Sequence, residues 1–232
     1  EPDAALRLGD WQLTRNADDT WRLSAENTDT ALSLTLTPAK PIVLQGDRGY
    51  SAKSDEPGNA SHYYSLPRLT GAGEIRLQGI THPVQARAWL DHEWGTSGLG
   101  KSQSGWDWFA LQLDDGRELT FYRLREQSGG TDAHSRGLLV AANGSATPLA
   151  PDALRLTPRR WWTSPQTGVR YPVAWDVDVP EASLRLRMAA TFDAQEWPDG
   201  LRYWEGVVEV TDAAGGSRLG RGYLEMTGYG DR

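Results

Sequence analysis

A chain of 232 residues with eleven tryptophans, no cysteine and a net charge of −7 can form one large all-β domain or two small ones. The absent thiols exclude disulfides, thiolate nucleophiles and cysteine-based zinc sites, and the net charge argues against nucleic acid and anionic membrane surfaces as partners. No apolar run approaches the length of a membrane span, and the opening EPDAALRLGDW has neither a basic nor an apolar signal region and reads like the middle of a longer protein.

Helical periodicity is nearly absent. Gly and Pro recur at strand-like spacing, which predicts an antiparallel all-β fold of about thirteen strands. Trp11 and Leu13, then Trp21, Leu23 and Ala25, alternate across a turn at residues 16–19, a hairpin. In residues 31–37 Leu32, Leu34 and Leu36 alternate with Ser33, Thr35 and Thr37, and Pro38 and Pro41 end that strand. Residues 45–58 form a polar loop long enough to act as a flap. Residues 62–69 resume the sheet. Residues 74–79 and 85–94 pair across a Thr-His-Pro turn, with Ala86, Ala88, Leu90, His92 and Trp94 on one face and Trp89, Asp91 and Glu93 on the other.

A Gly/Ser loop at residues 95–105 separates this strand from the next. Residues 106–113 and 118–125 make a hairpin around Asp114-Asp115-Gly116. Both faces of its first strand are apolar, Trp106, Trp108 and Ala110 against Phe109, Leu111 and Leu113, so the strand is covered on both sides. Residues 137–142 form a short strand, and residues 148–158 form a loop with room for one helical turn. Trp175, Val177 and Val179 alternate with Asp176 and Asp178, and Leu184, Leu186 and Met188 alternate with Arg185 and Arg187. The last strands are residues 203–210 and 221–227.

Two groups of side chains interrupt these apolar patterns with chemistry. The first is Asp91, His92, Glu93 and Trp94 with Asp107, Trp106, Trp108 and Tyr122. A half-buried carboxylic acid can hold a proton at neutral pH, and indole faces stabilise a cation without capturing it. Asp91, Glu93 and Asp107 are therefore candidate acids, with His92, Trp94, Trp106, Trp108 and Tyr122 as candidate ligand contacts. The competing reading is a buried polar network paired to Arg87, Arg123 and Arg125. The second group is Tyr203, Glu205, Tyr223, Glu225 and Tyr229, which share a face by period two and form either a polar-aromatic pocket or an ordinary outer face. The scattered histidines predict no metal site, and no nucleophile elbow or phosphate loop is present.

The segments AWLDHEWG (88–95), GWDWFALQLDDG (105–116), YWEGVVEV (203–210) and GRGYLEMTGY (220–229), with PAKPIVLQGDRGYSAK (38–53) and SHYYSLPRL (61–69), resemble the AttH/CrtC-like family, closest to its AttH-type exported proteins. The resemblance implies two consecutive lipocalin-like antiparallel β-barrels, residues 1–103 in the first and 104–232 in the second. Family members usually carry about a hundred earlier residues, so the first barrel is expected to lack N-terminal strands or to take them from another segment or a second chain. The resemblance also implies an exported or periplasmic protein that needs no cofactor. Its partner would be a small apolar ligand, an isoprenoid or lipid, held in a barrel or between barrels. The alternatives are a cofactor-independent hydratase, lyase or cyclase using a carboxylic acid, and a purely structural module.

Overall fold

The computed structural model describes residues 5–95, 98–197 and 202–230; Thr96 and Ser97 of the Gly/Ser loop lie outside the described residues. Eighteen strands and one 3-10 turn are present among them, all pairing antiparallel: β1 (Ala5–Leu8), β2 (Trp11–Arg15), β3 (Trp21–Glu26), β4 (Thr30–Pro38), β5 (Val43–Leu44), β6 (Tyr50–Ala52), β7 (Ala60–Leu77), β8 (Ile80–Gly95), β9 (Gln103–Leu113), β10 (Glu118–Glu126), β11 (Arg136–Val140), β12 (Ala146–Leu149), β13 (Arg155–Thr163), β14 (Arg170–Val179), β15 (Leu184–Ala190), β16 (Glu196–Trp197), β17 (Tyr203–Asp212) and β18 (Arg218–Thr227). The count exceeds the sequence expectation because pieces of two to four residues, such as β1, β5 and β16, are too short to show an alternation. The helical turn falls at Pro180–Ala182, not at residues 148–158, where β12 and β13 extend instead.

The strands form two curled sheets, each a half-barrel, as a double lipocalin-like fold requires. The first has the order β1-β2-β3-β4-β7-β5, with β6 and β8 also pairing β7; the second has the order β12-β11-β10-β9-β18-β17-β15-β14-β13, with β16 on β17. By contact density the chain divides into two compact units, residues Glu1–Val43 with Ser65–Asp91, and Leu44–Tyr64 with His92–Arg232.

In the first unit Leu34, Leu36, Leu66 and Leu69 are buried, and Leu23, Ala86, Ala88 and Leu90 pack against them. The face assigned to Ala86, Ala88 and Leu90 is thus the packed one. The β7–β8 turn lies at Gln78 and Gly79, both with positive φ (50° and 80°), as a two-residue hairpin requires. The expected Thr81-His82-Pro83 turn is instead part of β8, whose only partner among the described residues is β7; an edge strand tolerates the proline because no ladder bond is lost there.

In the second unit, period two sends Phe109, Leu111, Phe121, Trp175, Val177, Leu186, Met188, Trp204, Val208 and Leu224 into one core. These side chains pack against one another in a single cluster. Only two of the eleven tryptophans, Trp175 (1% exposed) and Trp204 (0%), are completely buried; aliphatic side chains supply most of the rest. A ligand chain running through this interior, one of the expected arrangements, would have to displace that packing.

Residues 45–52 of the expected loop are tied into the sheet, and residues 55–58 form an exposed turn beyond it. Gln45 and Ser51 are fully buried, the Gln45 amide donates to the Tyr63 carbonyl at 3.0 Å, and the Tyr63 amide to the Gly49 carbonyl at 2.9 Å. The pairing of β6 with β7 satisfies backbone groups that an open loop would leave to water.

Candidate functional site

The alternation that fills the second core turns the opposite set of side chains outward. Tyr122 lies across from Trp108, Glu225 across from Trp108 on the other flank, and Glu205 across from Glu225. Trp106, Trp108, Tyr122, Tyr203, Glu205 and Glu225 therefore share one face of the second sheet, as the period-two reading of each strand requires. The Trp106 indole N–H donates to Glu225 Oε1 at 2.7 Å, and its ring meets Tyr203 edge-on at 6.0 Å. The Trp108 indole donates to the Tyr63 hydroxyl at 3.1 Å. Burial, then the charges of Glu205 and Glu225, push the Tyr223 phenol up to about 12; the same causes raise Tyr203, with Glu225 acting ahead of Glu205. Both phenols stay protonated at neutral pH, on the face they share with Glu205 and Glu225.

Three residues at this face were not foreseen. Tyr122 OH lies 2.8 Å from Ser51 Oγ; Lys53 Nζ lies 3.0 Å from the same Ser51 Oγ, 2.6 Å from Glu93, and over the rings of Tyr122 and Tyr63 at 4.5 and 5.5 Å. Burial raises the Tyr122 phenol above its ordinary value, against the Ser51 hydrogen bond. Ser51 and Tyr122 are 71 residues apart, so no local pattern could have joined them.

Of the remaining candidates, Glu93 reaches this face through Lys53, and the others go elsewhere. His92 and Trp94 join a separate ring cluster: His92 Nδ1 lies 2.9 Å from Tyr64 OH, its ring is 4.7 Å from Trp94, and Trp94 stacks on His62 at 5.4 Å. Asp91 is exposed in the first unit and accepts from Ser65 Oγ at 2.5 Å and Trp89 Nε1 at 2.7 Å. Glu93 pairs with Lys53 and accepts from Ser61. Asp107 points into the second core, 1% exposed. Arg123 holds its Oδ2 at 2.6 Å, while Arg125 and Tyr229 hold its Oδ1 at 2.7 and 2.9 Å. So placed, Asp107 neutralises buried guanidinium charge, the competing polar-network reading.

A second unforeseen group lies at Glu196. Ser164, Thr167 (2.6 Å) and Tyr171 (2.9 Å) all donate to its carboxylate. Burial alone would raise this carboxyl; the hydroxyl donors and the charge of Arg202 outweigh it and hold the group below the usual carboxylate range. A depressed carboxyl stabilises the fold above its unfolded value of about 4.3 and loses that contribution as pH falls through the folded value. The thermal midpoint of the wild type should therefore drop more steeply below about pH 4.3 than that of Glu196→Gln, which starts lower at neutral pH; parallel curves from a pH series of melts would show that Glu196 is not the group responsible.

Elsewhere, an open groove of ≈ 300 Å³ in the first unit has a mixed lining that includes Ser24, Glu26, Leu32, Ser33, Glu74 and Arg76. No group of three metal-ligating side chains occurs among the described residues.

An AttH protein from Nitrosomonas europaea superposes on 97% of this chain and 69% of its own, with 37% identity and a TM-score of 0.89. Kievitone hydratase from Nectria haematococca shares the fold at a TM-score of 0.77 and 17% identity, covering 98% of this chain and 71% of its own. The dehydratase asqC of Emericella nidulans is 22% identical over 186 residues, 76% of this chain, which spans about half (50%) of that relative's length. Residues 1–229 match the AttH-like family model, and with the double lipocalin-like fold and the Nitrosomonas relative this places the chain in the AttH-like family.

Proposed function

We propose that the outer face of β9, β10, β17 and β18 binds an elongated apolar ligand, an isoprenoid or lipid. The observation that carries this reading is the position of the aromatic residues. Trp106, Trp108, Tyr203 and Tyr223 are all partly exposed on one face, while the core behind them is filled by other side chains. Half-exposed indoles and phenols offer large apolar area with few rotamers to freeze. Native mass spectrometry and lipid extraction of the purified chain should recover an apolar molecule, and Trp106→Ala/Trp108→Ala should lose it. A wild-type sample with nothing bound, or a double variant that retains the ligand, would overturn the proposal.

A second reading, cofactor-independent hydration or dehydration of such a ligand, draws on Glu205 and Tyr223. A carboxylate and a protonated phenol on the ligand face, Glu205 and Tyr223, can serve as base and acid, and two relatives carry hydratase and dehydratase names. On this reading the acid role falls to this pair and not to Asp107, whose oxygens are occupied. Glu205→Gln would then keep the ligand but leave it chemically unchanged, whereas conversion by that variant equal to wild type would reject the catalytic role.

A further inference from the structure

The second sheet ends on β13, an edge strand whose residues are mostly exposed. Residues 155–175 carry Arg155, Arg159, Arg160 and Arg170 and no acidic residue, in a chain whose net charge is −7. The same stretch holds Trp161, 44% exposed. Two further exposed aromatics are brought to this edge from distant sequence. Asp193 bonds Arg160 at 2.5 Å, which ties the turn bearing Phe192 (58% exposed) to β13. Glu196 bonds Thr167 in the β13–β14 turn, which holds the neighbouring Trp197 (61% exposed) at the same end. Arg170 lies over the Trp161 ring at 5.2 Å.

We infer that this edge rests on a lipid surface, with Trp161, Phe192 and Trp197 entering the headgroup–acyl boundary and the arginines at phosphate level. Exposed large apolar side chains in one patch are uncommon on a protein that meets only water. Tryptophan favours the membrane interface because its ring is apolar and its N–H is polar, and arginine can lay its alkyl stem on apolar surface while its guanidinium meets phosphate. Arg159 and Arg160 share the carboxylates of Asp176 and Asp193, yet their side chains stay about half exposed, 53% and 45%. The overall negative charge works against nucleic acid and, at long range, against an anionic membrane surface, but it is screened within about 10 Å, so the side chains at this edge decide a short-range contact. The inference does not depend on the ligand proposed for the outer face.

The test is sedimentation of the full chain with phosphatidylcholine vesicles and with vesicles containing phosphatidylglycerol. The chain should pellet with both, more strongly with the anionic vesicles, and the excess should vanish in high salt. Trp161→Ser/Phe192→Ser should weaken partitioning by about tenfold, the loss expected of two half-buried aromatic side chains. Its melting temperature should be unchanged, because both residues are exposed. Leu8→Ser, at an exposed site in the first unit, should bind as wild type does. No pelleting with either vesicle, equal loss in Leu8→Ser, or pelleting without vesicles would overturn the inference.

Discussion

Replacing Asp107 with alanine should destabilise the protein by about 3–5 kcal/mol, the cost of leaving buried charge without its partner. Arg123 and Arg125 have side chains only 18% and 13% exposed, and both place guanidinium nitrogens on the Asp107 carboxylate. Arg123 also lies over the Trp175 ring at 5.1 Å and Arg125 over the Tyr229 ring at 4.0 Å. Burial disfavours the Arg123 charge, but the carboxylate more than restores it. Burial and then Asp107 push the Tyr229 phenol well above its ordinary value, so it stays a donor. Without the carboxylate, two cations and a phenol lose their common acceptor. Replacing the whole group, Asp107→Leu/Arg123→Met/Arg125→Met, should cost less than the single alanine change, because no unpaired charge remains. Urea unfolding of the three proteins checks this. A loss below about 1 kcal/mol for Asp107→Ala would mean that the cluster is solvated, as exposed ion pairs are.

Trp204→Ala should cost a similar 3–5 kcal/mol, for a different reason. Trp204 is completely buried, packs in the core of the second unit, and donates its indole N–H to the Asp193 carbonyl at 2.8 Å. Alanine would leave a cavity, while the Asp193 carbonyl keeps the Gln195 amide as a donor at 2.9 Å. Trp11→Ala, at a site 53% exposed, should cost less than about 1 kcal/mol, as exposed substitutions do. Calorimetry of the pair separates a tryptophan that builds a core from one that is exposed to solvent. Equal losses would contradict the packing described above.

The period of two along each strand was legible from the residues alone. It placed Leu34 and Leu36 inward, put Ala86, Ala88 and Leu90 on one shared face, and grouped Tyr203 with Glu205 and Tyr223 with Glu225. These are local facts, because a strand's side chains alternate whatever it packs against. The sequence also marked the Trp106 and Trp108 face as covered; here Tyr63 packs on that face beside Tyr122 and Leu124 of the same sheet, and both indoles stay partly exposed.

Tertiary structure alone decided which of the two faces closes into the core and which long-range partner each polar side chain meets. Asp107 reads like a candidate acid until Arg123, Arg125 and Tyr229, 122 residues away, converge on it. Lys53 reads like part of a mobile loop until β6 pairs with β7 and sets it against Tyr122. Alternation fixes that two neighbours point apart, but not which of them points inward. That choice depends on the pairing of distant strands and on the area they bury together.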